Sequence, residues 1–81
     1  MKLLKQAELQ LIFKAKALKT ATIVKAPDSE GGYNLMFKGD KSDQYAISTQ
    51  RDSKAIRRFM KIDSAVSTAE SIGFKTIQIK L

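Results

Sequence analysis

The chain has 81 residues, 43% of them hydrophobic, which is enough for one compact domain with a modest core and too little for two. Fifteen Lys and Arg against eight Asp and Glu give a formal charge of +7, an excess that favours an anionic partner, nucleic acid before acidic lipid. Cysteine is absent, which excludes disulfides and fits a reducing compartment.

The amino-terminal segment, residues 1–19, predicts an amphipathic helix. Polar residues interrupt each of its apolar runs, so we expect neither a signal peptide nor a membrane span and predict a cytoplasmic protein. Its apolar residues recur at three- and four-residue spacing, which places them on one helical stripe. The members of that stripe are Leu4, Ala7, Leu11, Ala15 and Leu18.

A second apolar surface is predicted on the same helix, because Leu9, Ile12 and Phe13 project away from the stripe. It serves either packing within the domain or contact between two copies. We expect a homodimer through these three residues, since a domain this small has a limited core of its own. The alternation of Leu9, Leu11 and Phe13 leaves a strand over residues 9–17 as the alternative.

From Thr20 the apolar period changes to two, which is typical of strands. Strands are predicted over residues 20–26, 33–40 and 44–51, followed by a short fourth over 55–60 with Phe59 as its core anchor. Proline, acidic residues and paired glycines at 27–32 indicate a turn, and residues 39–43 suit a hairpin loop.

A second helix follows the strands. Its apolar residues keep helical spacing, Asp63 and Ser64 offer capping oxygens, and Gly73 sits where a helix should end. The apolar positions are Ile62, Ala65, Val66, Ala69 and Ile72. Alternation over residues 76–81 then predicts a last, half-buried strand. The predicted fold is α+β, a single domain over residues 1–81: an N-terminal helix over 1–19, then over 20–81 an antiparallel meander of three to four strands, a helix and a C-terminal strand.

Catalysis is not expected. The sequence has no His, Cys or Trp, so it lacks the commonest general base, the strongest nucleophile and the usual transition-metal ligands. Most of its carboxylates fall in predicted turns, its serines and threonines have no basic partner, and its glycines lack the spacing of a phosphate loop. We therefore predict a protein without enzymatic activity, cofactor or metal.

One concentrated feature remains, a group of cations and an amide on the predicted hairpin that we assign to nucleic-acid binding. It consists of Lys38, Gln50, Arg51, Lys54, Arg57 and Arg58. If Phe59 faces the core, strand alternation turns Arg58 outward, while Arg57 must reach an edge to keep its charge in water. The predicted outward face bears Asn34, Lys38, Ser48, Gln50 and Arg58. The alternative is that these charges only protect an edge strand from pairing with another chain.

The stretch "TQRDSKAIRRFMKIDSAVSTAESIG", with its TQR, RRF and IDSA segments and closing glycine, resembles small plasmid-borne accessory proteins of proteobacteria associated with partition, stability or replication control. The resemblance covers residues 45–81. In topology the chain also resembles phage integrase arm-binding domains, whose three-stranded sheet reads the major groove. That resemblance implies base contacts by Gln50, Arg51 and Arg58.

We therefore predict a non-enzymatic DNA-binding or DNA-associated accessory protein that contacts the phosphate backbone of double-stranded DNA through its basic hairpin. The alternative is a protein–protein adaptor or inhibitor that uses the apolar helix face at Leu9, Ile12 and Phe13.

Overall fold

A computed structural model of the chain describes residues 1–27 and 31–81 and contains two helices and six strands in that range. In chain order they are β1 (Lys2–Leu4), α1 (Gln6–Lys14), β2 (Leu18–Lys25), β3 (Tyr33–Gly39), β4 (Gln44–Ile47), β5 (Arg58–Phe59), α2 (Ile62–Ile72) and β6 (Gln78–Lys80). The predicted α+β class is confirmed. The predicted turn at 27–32 has its centre, residues 28–30, outside the described residues. Neither described helix is long and apolar enough to cross a membrane.

All six strands belong to one sheet with the order β1-β4-β3-β2-β6, and β5 pairs with the beginning of β3. The central strands β2, β3 and β4 form the predicted antiparallel meander. Both outer strands are instead parallel to their neighbours, β1 to β4 and β6 to β2. The prediction of a purely antiparallel sheet is therefore wrong, because each helix carries the chain across the sheet and lets an outer strand join in parallel.

Two crossovers place both helices on one face of the sheet. The β1–α1–β2 and β5–α2–β6 connections each pass two intervening strands and cross the sheet in the same direction. Crossovers between parallel strands are right-handed, so both helices lie on the same side of the sheet. The helices also touch: Gln6 Nε2 donates to Ser71 Oγ at 2.7 Å, and Gln10 Nε2 donates to the Ser71 carbonyl at 3.1 Å. No described helix covers the opposite side, which we call the open face.

The core fills the space between the helices and the sheet. Its buried apolar residues are Leu9, Leu18, Ala21, Ile23, Leu35, Phe37, Tyr45, Ile47, Phe59, Ala65, Ala69, Ile72 and Phe74. Phe74 joins the two layers, since its ring centroid lies 4.8 Å from that of Phe13 in α1 and 5.6 Å from that of Phe37 in β3. Just before it, Gly73 has φ 137°, and a Cβ there would collide with the Phe13 ring. Glycine is therefore required to end α2, as the sequence predicts.

The amino-terminal helix differs from its prediction in length and in orientation. Residues 2–4 are a strand, and the helix ends before Lys16, whose φ of 64° reverses the chain towards β2. The predicted core stripe is accordingly broken: Leu11 is 67% exposed, while Leu9 is completely buried. The observed helix is too short to include Leu4 and Leu18, so the predicted stripe loses its two terminal leucines. The other, bulkier set of apolar side chains therefore forms the inner face. The alternative prediction of a strand over residues 9–17 is wrong as well.

Leu9, one of the three residues predicted to form an interface between two copies, has no exposed area. Ile12 and Phe13 are half-buried and pack against the same core. Part of the surface assigned to a partner is therefore used in packing within the chain, and the homodimer stays a prediction.

Three smaller expectations about the C-terminal half have mixed outcomes. Phe59 is 2% exposed, which confirms it as a core anchor. The predicted caps are wrong, because α2 begins after Lys61 and no side chain caps it. The last strand is less buried than expected, since β6 is an edge strand and Ile79 remains 47% exposed.

Because the helix faces are reversed, two leucines on α1 should have very different effects on the free energy of unfolding. Leu9→Ala removes a fully buried side chain and should lower the free energy of unfolding by about 2–5 kcal/mol. Leu11→Ala changes an exposed position and should stay within about 0.5 kcal/mol of the parent chain. Urea denaturation followed by circular dichroism measures both. A larger loss for Leu11→Ala than for Leu9→Ala would show that the faces are assigned incorrectly.

Candidate nucleic-acid interface

The loop between β4 and β5 is held in shape by its own hydrogen bonds. Thr49 Oγ1 donates to the Asp52 carbonyl at 2.9 Å and accepts from the Asp52 N–H at 2.9 Å. The Lys54 N–H donates to Asp52 Oδ1 at 2.8 Å, and the Thr49 N–H donates to the Ala55 carbonyl at 2.9 Å. Thr and Asp favour such side-chain-to-backbone bonds, which fix the chain on both sides of Arg51.

Two consecutive arginines leave this loop towards opposite sides of the sheet. The Arg57 N–H donates to the Ile47 carbonyl at 2.7 Å, and its guanidinium carbon lies 4.6 Å from the ring centroid of Phe59. Because Phe59 faces the core, Arg57 is on the helix side and remains exposed at its rim. Arg58 pairs with Asn34 on the open face and is half-buried, with its stem close to Gly32.

The start of α1 and this loop enclose a concave site that we call the basic cleft, with a volume of about 900 Å³. Nine described residues line it, of which three are cationic and none is acidic. They are Lys5, Gln6, Ala7, Ile47, Ser48, Thr49, Gln50, Arg51 and Arg57. The parallel pairing of β1 with β4 creates this site, because it brings the beginning of α1 beside the end of β4.

The structure divides the predicted site residues among three places. Gln50, Arg51 and Arg57 meet in the basic cleft. Lys38 and Arg58 lie on the open face, as predicted, since their strand positions alternate with the buried Phe37 and Phe59. Lys54 is exposed in the β4–β5 loop and does not line the cleft. Among the other residues of the predicted outward face, Asn34 lies on the open face and Ser48 is buried, its N–H donating to the Leu4 carbonyl.

Lys5 is the cation of the cleft that sequence reasoning missed. It precedes α1, and its backbone N–H donates to the Glu8 carboxylate at 3.0 Å. Nothing in the local sequence distinguishes it from the other lysines of the segment. Only the pairing of β1 with a strand more than forty residues later brings it to the arginines.

The cleft has the chemistry of an anion-binding surface. Arginine guanidinium groups donate fork-shaped pairs of hydrogen bonds that match phosphate oxygens, and lysine adds a mobile point charge. Gln50 and Thr49 line the same cleft. Across the described residues, no three acidic side chains converge in a way that could hold a metal ion.

Comparisons of the chain with protein families, with curated proteins and with solved structures returned no match.

We expect the hydrogen bonds of Thr49 to make the loop that carries Arg51 rigid. Thr49→Val removes both bonds with Asp52, so the Asp52 amide should exchange its hydrogen several-fold faster, a loss of about 1 kcal/mol in local stability. Thr49→Ser keeps the hydroxyl and should exchange like the parent chain. Amide hydrogen exchange followed by NMR measures this, and equal rates in both variants would contradict it.

Proposed function

We propose that the protein is a non-enzymatic accessory protein of the cytoplasm that binds double-stranded DNA by its phosphate backbone, in the class of plasmid-borne proteins that its second half resembles. The observation that carries this proposal is the basic cleft, where Lys5, Arg51 and Arg57 converge without an acidic neighbour in its lining. Two of the three belong to the cluster that the sequence analysis assigned to DNA.

The position of Arg57 supports a role beyond solvation. Its guanidinium is stacked near the ring of Phe59, which limits the rotamers of a side chain that is otherwise costly to order. Arg51 extends from a loop closed by the Thr49 and Asp52 bonds. Cations that are ordered before binding lose less entropy when a phosphate arrives.

The net charge of +7 supports the same partner. Each phosphate neutralised by a lysine or arginine releases counterions, so affinity falls steeply with salt concentration. Backbone contacts of this kind position a protein on DNA and carry little sequence information. The proposed binding is therefore strongly dependent on salt and only weakly dependent on sequence.

The adaptor alternative is less favoured, because Leu9 is inside the core and Ile12 and Phe13 are half-buried against that core. Of that helix, Leu11 is the exposed large apolar side chain. A single exposed leucine is ordinary for a protein surface and does not favour a docking role.

The double variant Arg51→Ala/Arg57→Ala tests the proposal. It removes two cations of the cleft and should weaken binding to a generic duplex by about tenfold or more at about 50 mM salt, and reduce the slope of log K against log salt by about 2. Fluorescence anisotropy with a labelled duplex, titrated at several salt concentrations, measures both quantities.

Lys14→Ala/Lys75→Ala is the matched control, since it removes the same charge from exposed positions outside the cleft. Lys14 ends α1, at the far end of the helix from Lys5. The control should lose much less affinity than the arginine variant. Equal losses would mean that charge alone, and not the cleft, determines binding, and absence of binding by the parent chain at about 50 mM salt would refute the proposal.

A further inference from the structure

The open face of the sheet carries its side chains in rows that cross the strands. Register places Gln44, Lys38 and Thr20 in one row, and Arg58, Asn34, Val24 and Lys80 in another. Between them lie Met36, Thr22 and Gln78. The two outer rows are four residues apart along β2, which corresponds to about 13 Å at about 3.3 Å per residue.

Among the described strands, this face carries positive charge and no acidic residue. None of the six described strands contains an aspartate or a glutamate. Lys38 and Lys80 are exposed, one in each outer row, and Arg58 lies at the end of the second row. A sheet face whose only role is contact with water would carry charges of both signs. The excess of positive side chains on the described strands is therefore informative.

The open face and the basic cleft lie on opposite sides of the sheet. Arg57 lines the cleft on the side of Phe59 and the helices, whereas Arg58 pairs with Asn34 on the other side. The chain therefore carries two separate cationic surfaces.

We propose that the open face is a second phosphate-binding surface, weaker than the basic cleft because it offers two exposed lysines, so that one molecule joins two duplex segments. This inference rests on the proposed function of the cleft. The occupant is the phosphate backbone of a second duplex. Lys38 and Lys80 lie in different rows and two strands apart, which separates their backbones by about 16 Å. Their flexible side chains can close that distance to the about 12 Å width of a major groove and contact its two bordering strands. Single-stranded nucleic acid fits this face less well, because its unpaired bases need aromatic side chains to stack on. None of the outward-facing residues of the described β-strands is aromatic.

The dimensions of the molecule permit this arrangement. Its shortest extent is 23 Å, which is more than twice the Debye length of about 8 Å at physiological salt. Repulsion between two duplexes held on opposite sides is therefore largely screened, while contacts within each surface are not.

A capture assay tests the inference. One biotinylated duplex of about 30 bp is fixed on beads, and a fluorescent duplex of the same length is added with the full chain at about 50 mM salt. Lys38→Thr/Lys80→Thr removes the lysines of the open face while keeping residues suited to strands. Arg51→Ala/Arg57→Ala removes the cations of the cleft, and Lys14→Ala/Lys75→Ala is the control.

The parent chain and the control should capture the fluorescent duplex. The open-face variant should still bind a single duplex by anisotropy but capture at least fivefold less of the second one, and the cleft variant should likewise lose capture. Full capture by the open-face variant would overturn the inference, because the bridge would then arise from association between copies that each use the cleft. A parent chain that binds one duplex but captures none would also overturn it. A parent chain that binds no duplex would instead refute the proposed function.

Discussion

The contact of Phe74 with Phe13 and Phe37 fixes the position of α1 on the sheet, and the geometry of the candidate site depends on it. The chain can approach Phe13 this closely only because Gly73 has no side chain. These aromatic residues hold the C-terminal end of α1, while Lys5 lies at its other end. A helix of nine residues is rigid over its length of about 13 Å, so packing at one end sets the distance between Lys5 and the arginines at the other.

The parts of the fold that sequence predicts well are those specified by neighbouring residues. The α2 helix keeps one apolar stripe from Ile62 to Ile72 and ends at a glycine, so its end and its buried face follow from spacing alone. The central strands alternate regularly and follow one another closely in sequence, which favours their antiparallel pairing. The opposite directions of Arg57 and Arg58 also follow from alternation once Phe59 is placed in the core.

Sequence reasoning failed where distant contacts override local preference. Residues 2–4 belong to a leucine-rich helical pattern but pair as a strand with β4, and the helix stops at Lys16, a residue without the usual signal for a left-handed turn. Both errors lengthened the predicted helix and so reversed its faces. They also concealed Lys5, because its place in the cleft depends on the same parallel pairing. Two of the three cations of the candidate site were therefore visible in the sequence as a local cluster, and the third joins them only when the chain is folded.

The two parallel outer strands have a consequence for how the chain folds. Leu3 pairs with Ala46 and Ile23 with Ile79, separations of 43 and 56 positions, so each edge of the sheet closes only after most of the chain has been ordered. Such non-local pairing slows folding compared with a simple meander. It also makes the fold cooperative, because neither edge strand has a partner close to it in sequence. The basic cleft lies at one of these edges, so it forms only when residues from both halves of the chain are brought together.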